Sequence, residues 1–224
     1  MQNENLGFIF DWDGVIIDSH AAHEESWQLL FAELKRPMPE GFFKKTFGMR
    51  NQQIIPTYFD FVAADDAKTI ADLGDRKEVL YREILKRDGI EPLPGVRRLL
   101  AELKERGIPR SVGSSTPRLN IETIMEMTGL ADAFDAIVSA EDVTIGKPDP
   151  QVFLKAGQAI GSSVERSIVF EDAHVGIEAG KRAGMKVVAV ATTHPMETLT
   201  DADVVYQDLS EVTVDVVLAA LGFK

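Results

Sequence analysis

From Pro94 onward the chain alternates helix-like and strand-like segments, and this alternation constrains the fold more than any other feature. Helical patterns near residues 96–106, 118–128, 151–160, 175–183 and 212–221 interleave with strand-like segments at 108–113, 136–139, 167–170, 186–191 and 204–206. Such interleaving predicts a parallel sheet with helices on both faces. Ligands in open parallel sheets bind beyond the carboxyl ends of the strands. The residues that follow each strand are therefore where chemistry is to be sought.

One more strand precedes the alternation. Leu6 to Phe10 is rich in β-branched and aromatic residues and carries no charge, as a buried strand would. It ends in two carboxylates one residue apart, Asp11 and Asp13, followed by Gly14. Ionised carboxylates at such a strand end are costly unless a cation or hydrogen-bond donors meet them. A hard ion such as Mg²⁺ favours carboxylate and carbonyl oxygen. Gly14 lets the backbone turn tightly where a side chain would crowd a ligand.

Three further signals follow in order. Val112-Gly113-Ser114-Ser115-Thr116-Pro117 places small hydroxyl residues after a strand. Gly146-Lys147-Pro148-Asp149-Pro150 holds a lysine in a stiff turn. Ser167-Ile168-Val169-Phe170-Glu171-Asp172 is another buried strand ending in two acids. A nucleophilic acid, a phosphate-binding hydroxyl, a phosphate-binding lysine and metal-binding acids are the parts phosphoryl transfer needs.

In order and content the four motifs resemble the haloacid dehalogenase superfamily of hydrolases, most of which are phosphatases, over nearly the whole chain. The resemblance is to the subfamily with a helical cap, in the group of β-phosphoglucomutases and sugar-phosphate phosphatases. It implies a doubly wound, Rossmann-like α/β core with an inserted helical cap. Asp11 becomes the expected nucleophile, and Asp13 the acid that protonates the leaving alkoxide and later activates water. Ser114 and Ser115 with Lys147 are expected to bind the phosphoryl group, with backbone N–H groups at the start of the next helix assisting. Mg²⁺ is the expected cofactor, on Asp11, Asp13 (through its backbone carbonyl), Glu171 and Asp172.

Between Ser19 and Gly89 the pattern turns helical without a strand: 21–34, 42–46, 51–61 and 64–87. This predicts a core of residues 1–17 and 92–224 and a cap of 18–91, joined by hinges near 15–19 and 89–95. Gly48-Met49-Arg50 resembles the substrate-facing cap loop of the family, and His23 with Trp27 its His-x-x-x-Trp element. Arg50 and His23 are thus candidate substrate contacts, whereas Trp27 is expected to pack. Gly176, Gly180 and Gly184 read as structural, the first two for close helix-to-sheet approach and the third as a helix end.

Composition excludes several other classes. A net charge of −12 argues against broad binding to nucleic acid or anionic membranes. There is no cysteine for a disulfide or thiolate metal site, no run of apolar residues long enough to span a bilayer and no signal-like N-terminus, so a cytoplasmic protein is expected; a monomer is expected separately, with no sequence feature deciding it. A true dehalogenase would need neither Asp13 nor the Glu171-Asp172 pair, and a phosphonate hydrolase would lack Asp13. An idle binding protein would not need every motif. The expected function is Mg²⁺-dependent hydrolysis of a small phosphorylated metabolite, such as a sugar phosphate, through an aspartyl-phosphate. A phosphomutase with the same catalytic residues is the alternative. Pro117-Arg118, where close mutase relatives carry Lys-Asn, weighs against it.

Overall fold

The computed structural model describes residues 5–46 and 49–223; Gly48 of the cap loop lies outside them. The chain divides into two compact units, Met1–Asp18 with Glu91–Lys224, and Ser19–Ile90. In chain order the first strand is β1 (Gly7–Phe10). Four helices follow: α1 (His20–Glu33), α2 (Phe42–Thr46), α3 (Asn51–Tyr58) and α4 (Ala67–Asp88). The alternating part then runs α5 (Val96–Glu105), β2 (Arg110–Gly113), α6 (Arg118–Thr128), β3 (Ala136–Val138) and α7 (Gln151–Ala159). It closes with β4 (Ser167–Glu171), α8 (His174–Arg182), β5 (Lys186–Val190), β6 (Val204–Tyr206) and α9 (Val214–Ala220).

The first unit is built on a six-stranded sheet in the order β3-β2-β1-β4-β5-β6, every pairing parallel. Strand order reverses at β1, which pairs with both β2 and β4. The carboxyl ends of β1 and β4 therefore flank the switch point where an open sheet leaves a crevice. The two-residue side-chain period explains why both faces are apolar. Ile9, Val169 and Val187 pack with Val152, Phe153 and Ala156 of α7 and Ile177 and Ala179 of α8. Phe8 and Phe10, alternating with Ile9, stack on Phe170 at 5.6 and 4.7 Å between ring centroids. Gly180 lets α8 approach, since a Cβ there would lie 2.7 Å from Val187.

In the second unit α1 runs antiparallel to α4, with Glu25 bound to Arg87 and Glu33 to Arg76. These exposed pairs contribute little. The cohesion comes from an apolar cluster of Trp27, Leu30, Phe31, Phe42, Phe43, Ile54, Ile55, Phe59 and Leu80. Trp27 packs there. Helix α3 stops three residues before the predicted 61, because buried Phe59 turns to extended backbone and sets its ring 4.8 Å from Phe31. Helix α4 starts later than the predicted 64, because the Asp66 carboxylate caps the Thr69 N–H at 3.0 Å. Among the described residues no helix is long and apolar enough to cross a membrane.

Candidate active site

Asp11 is the first residue beyond β1, and its N–H donates to the Phe170 carbonyl at 2.9 Å. That bond extends the β1–β4 ladder by one step and sets Asp11 beside the end of β4. Lys147 Nζ lies 2.7 Å from Asp11 Oδ2 and 2.7 Å from Glu171 Oε1. Glu171 Oε2 accepts the N–H groups of Asp172 and Ala173, each at 2.7 Å. One carboxylate oxygen from each of Asp11, Glu171 and Asp172 lies within 4.8 Å of the others, and all three residues are buried.

Electrostatics decide what such a cluster can hold. Burial disfavours charge on Lys147, but the carboxylates of Asp11 and Glu171 outweigh it and hold the ammonium above its ordinary range. Burial pushes Glu171 well above the usual carboxylate range; Lys147 opposes this, while Asp11 and Asp172 add to it. Burial and the Asp11 charge raise Asp172 to about 7, with a hydrogen bond from the Thr193 hydroxyl opposing. Three acids thus face one lysine in a dry place. An all-oxygen donor set with excess negative charge fits a hard divalent cation such as Mg²⁺. Two glycines make room for the carboxylates. A Cβ at Gly14, where φ is +76°, would fall on the Asp172 carboxylate, and one at Gly176 would fall inside that of Glu171. The bulk-free position of Gly176 therefore serves a site carboxylate rather than general helix-to-sheet packing.

The other sequence candidates have distinct places. The Asp13 carboxylate is not part of the acidic cluster; it accepts a hydrogen bond from the Thr116 hydroxyl. The ligand expected of Asp13 is its backbone carbonyl, so the place of its carboxylate does not bear on that expectation. Ser114 is buried, with its N–H donating to the Val138 carbonyl at 2.9 Å and its Oγ accepting the Thr116 N–H at 3.1 Å. Ser115 beside it is half-buried. The first N–H of α6, that of Arg118, meets the Glu141 carboxylate at 3.0 Å, so it is not an open phosphate donor. Asp149 accepts the Gln151 N–H at 3.0 Å, a turn role.

Three threonines were missed as site residues. The Thr116 hydroxyl holds the Asp13 carboxylate. After β5, Thr192 donates to the Gly14 carbonyl and Thr193 to Asp172 Oδ2. The available signal was positional: both follow a strand, as Ser114 does. The rings of His174 and His194 lie 4.7 Å apart, and burial with the neighbouring imidazole holds His194 below its ordinary value.

Arg50 and His23 belong to the helical unit. Arg50 is half-buried at the N-cap of α3, its N–H facing Gln53 Oε1 at 3.5 Å. His23 stacks on Tyr81 at 4.1 Å, and its Nδ1 lies 2.7 Å from Lys77 Nζ. Lys77, itself buried, donates to Glu78 at 3.0 Å, and Asn51 donates to the same carboxylate at 2.6 Å.

Fold and site together define an α/β hydrolase-like protein with a buried carboxylate cluster at a sheet switch point. The chain belongs to the haloacid dehalogenase-like hydrolases, whose family model matches residues 8–190. It is 34% identical over 212 residues to the chloroplastic 5-amino-6-(5-phospho-D-ribitylamino)uracil phosphatase of Arabidopsis thaliana; the match covers 93% of this chain but 56% of that protein. It is 32% identical over 204 residues to the validoxylamine A 7'-phosphate phosphatase of Streptomyces hygroscopicus subsp. limoneus, covering 91% of this chain and 94% of the other. A family IA hydrolase structure from Entamoeba histolytica superposes with a TM-score of 0.87 at 24% identity, covering 97% and 99% of the two chains.

Proposed function

We propose that the protein is a Mg²⁺-dependent phosphatase of small phosphorylated metabolites, sugar or polyol phosphates foremost, acting through an aspartyl-phosphate on Asp11. The observation that carries this reading is Lys147, its side chain only 7% exposed and bound at once to Asp11 and Glu171. A lysine so placed can cancel charge on the nucleophile and on the group it receives. Two relatives named as phosphatases support the reaction class.

In the proposed reaction an Asp11 oxygen bonds to phosphorus as the ester oxygen leaves, and Asp13 gives that oxygen its proton. Water then attacks phosphorus, Asp13 takes its proton, and the Asp11–phosphorus bond breaks. Ser114 and Ser115 receive phosphoryl oxygens. Asp11, Glu171 and Asp172 would hold Mg²⁺, with the Asp13 carbonyl completing the protein donors; when bound, it supplies the positive charge that lets a carboxylate meet a phosphate dianion. The inserted helical unit is assigned the choice of substrate, with Arg50 and His23 as its candidate contacts.

The test is phosphate release, with and without Mg²⁺, across a panel of sugar, polyol and other small phosphates. β-Glucose 1-phosphate is included, with glucose 6-phosphate followed in parallel. Metal-dependent release that Asp11→Asn abolishes supports the proposal. Glucose 6-phosphate without free phosphate replaces it with the phosphomutase, and turnover surviving Asp11→Asn removes the nucleophile.

A further inference from the structure

We infer that Thr116 is the positioning residue for Asp13, tying that carboxylate to the phosphate-binding serine; this rests on the acid/base role proposed for Asp13. Several contacts converge on the threonine. Its hydroxyl donates to Asp13 Oδ2, a residue 103 positions away in sequence. Its N–H donates to Ser114 Oγ at 3.1 Å. Its carbonyl accepts the Ala140 N–H at 3.1 Å, and the residue is buried. One side chain thus joins two motifs that must act on the same phosphoryl group, with its own backbone held on both sides.

The support beneath Thr116 is braced in turn. Ser139 donates to Asp142 Oδ2 through its N–H at 2.8 Å and its hydroxyl at 2.7 Å. The Arg118 guanidinium donates to that same oxygen at 2.7 Å and to the Ile137 carbonyl at 2.9 Å. The turn after β3 therefore carries Ala140, Ala140 carries Thr116, and Thr116 carries Asp13.

Asp13 needs such help. It is the third residue past the end of β1, its backbone bridged to Ile17, and its half-buried carboxylate can rotate about two side-chain torsions. Proton transfer demands a heavy-atom approach of about 3 Å, and small misplacements are expensive. A β-branched threonine has few rotamers, so its hydroxyl is a stiffer anchor than that of serine.

Leaving groups separate positioning from general structural damage. An alkoxide needs the acid, whereas p-nitrophenolate leaves almost unaided. kcat/KM would be measured for p-nitrophenyl phosphate and for the fastest alkyl ester of the panel above, in wild type, Thr116→Val, Thr116→Ser and Asp13→Asn. Melting temperatures would confirm folding. Thr116→Val should lose about 10- to 100-fold on the alkyl ester, the value of a hydrogen bond to a charged group, and less than about threefold on the aryl ester. Thr116→Ser should recover most of the loss, and Asp13→Asn should show the same selectivity more strongly. No loss, or equal losses on both esters, in Thr116→Val beside a selective Asp13→Asn would overturn the inference and leave the acid/base role intact. Equal losses in Asp13→Asn would instead remove the acid/base role itself.

Discussion

Lys147 compensates two buried carboxylates with one ammonium, so removing it should cost twice. Breaking a buried ion pair from one side destabilises by about 3–5 kcal/mol, because the partner stays desolvated and unpaired. Lys147→Ala should lower the metal-free melting temperature in a thermal scan, and added Mg²⁺ should recover part of the loss. Its kcat should fall by about 10²-fold or more, as for loss of a fixed electrostatic donor. An unchanged melting temperature would mean that the observed bridge carries no weight. Gly176 gives a second test at this scale. Alanine normally favours a helix interior by about 1 kcal/mol over glycine. Here the added methyl would fall inside the Glu171 carboxylate, so Gly176→Ala should destabilise by roughly 1–3 kcal/mol, the usual cost of overpacking. Calorimetry showing stabilisation would reject that assignment.

Helix α4 holds the matching glycine. Gly74 also sits inside a helix, yet a Cβ there would meet nothing nearer than the Asn51 Cβ at 3.4 Å. Gly74→Ala should therefore stabilise by about 0.5–1 kcal/mol, a rise of roughly 1–4 °C in melting temperature. A fall would show that the α3–α4 contact is tighter than its spacing indicates. The two glycines have similar local sequence signals and opposite expected signs. At the level of elements the sequence was otherwise informative: β6 and α6 lie at the residues their patterns predicted, and the remaining strands shift by no more than two residues at an end. The largest helix differences, three residues at the end of α3 and three at the start of α4, arise where a packed phenylalanine ring and a carboxylate cap outweighed the pattern; the other helix ends shift by two residues or fewer.

For the whole molecule, pH reports on the acidic cluster. Burial and the Asp11 charge push Asp172 up to about 7, from an ordinary 3.8. Between those values the native state binds more protons at this residue than the unfolded chain does. Its contribution to stability therefore falls as pH rises through this window, by up to about 1.4 kcal/mol per pH unit. Glu171, raised for the same reason, adds to the slope. Mg²⁺ binds the deprotonated acids, so it should raise the melting temperature strongly at pH 8 and little at pH 5. Melting curves from pH 5 to 8, with and without Mg²⁺, check this, with Asp172→Asn flattening the metal-free slope. A slope no different in that variant would remove Asp172 as its source.

The sequence by itself determined the parallel α/β class, the helical insert and the residues Asp11, Lys147, Glu171 and Asp172. Each of those signals is local: a two- or 3.6-residue period, or an acid or lysine at a strand end or in a stiff turn. Tertiary structure alone decided the partners. That Thr116 meets Asp13, that Thr193 meets Asp172, and that Gly176 yields to Glu171 while Gly74 faces ordinary packing depend on contacts between segments. No period or motif within one segment encodes them. Strand order and register bring those segments together, and the buried charge of the cluster exists only once they have met.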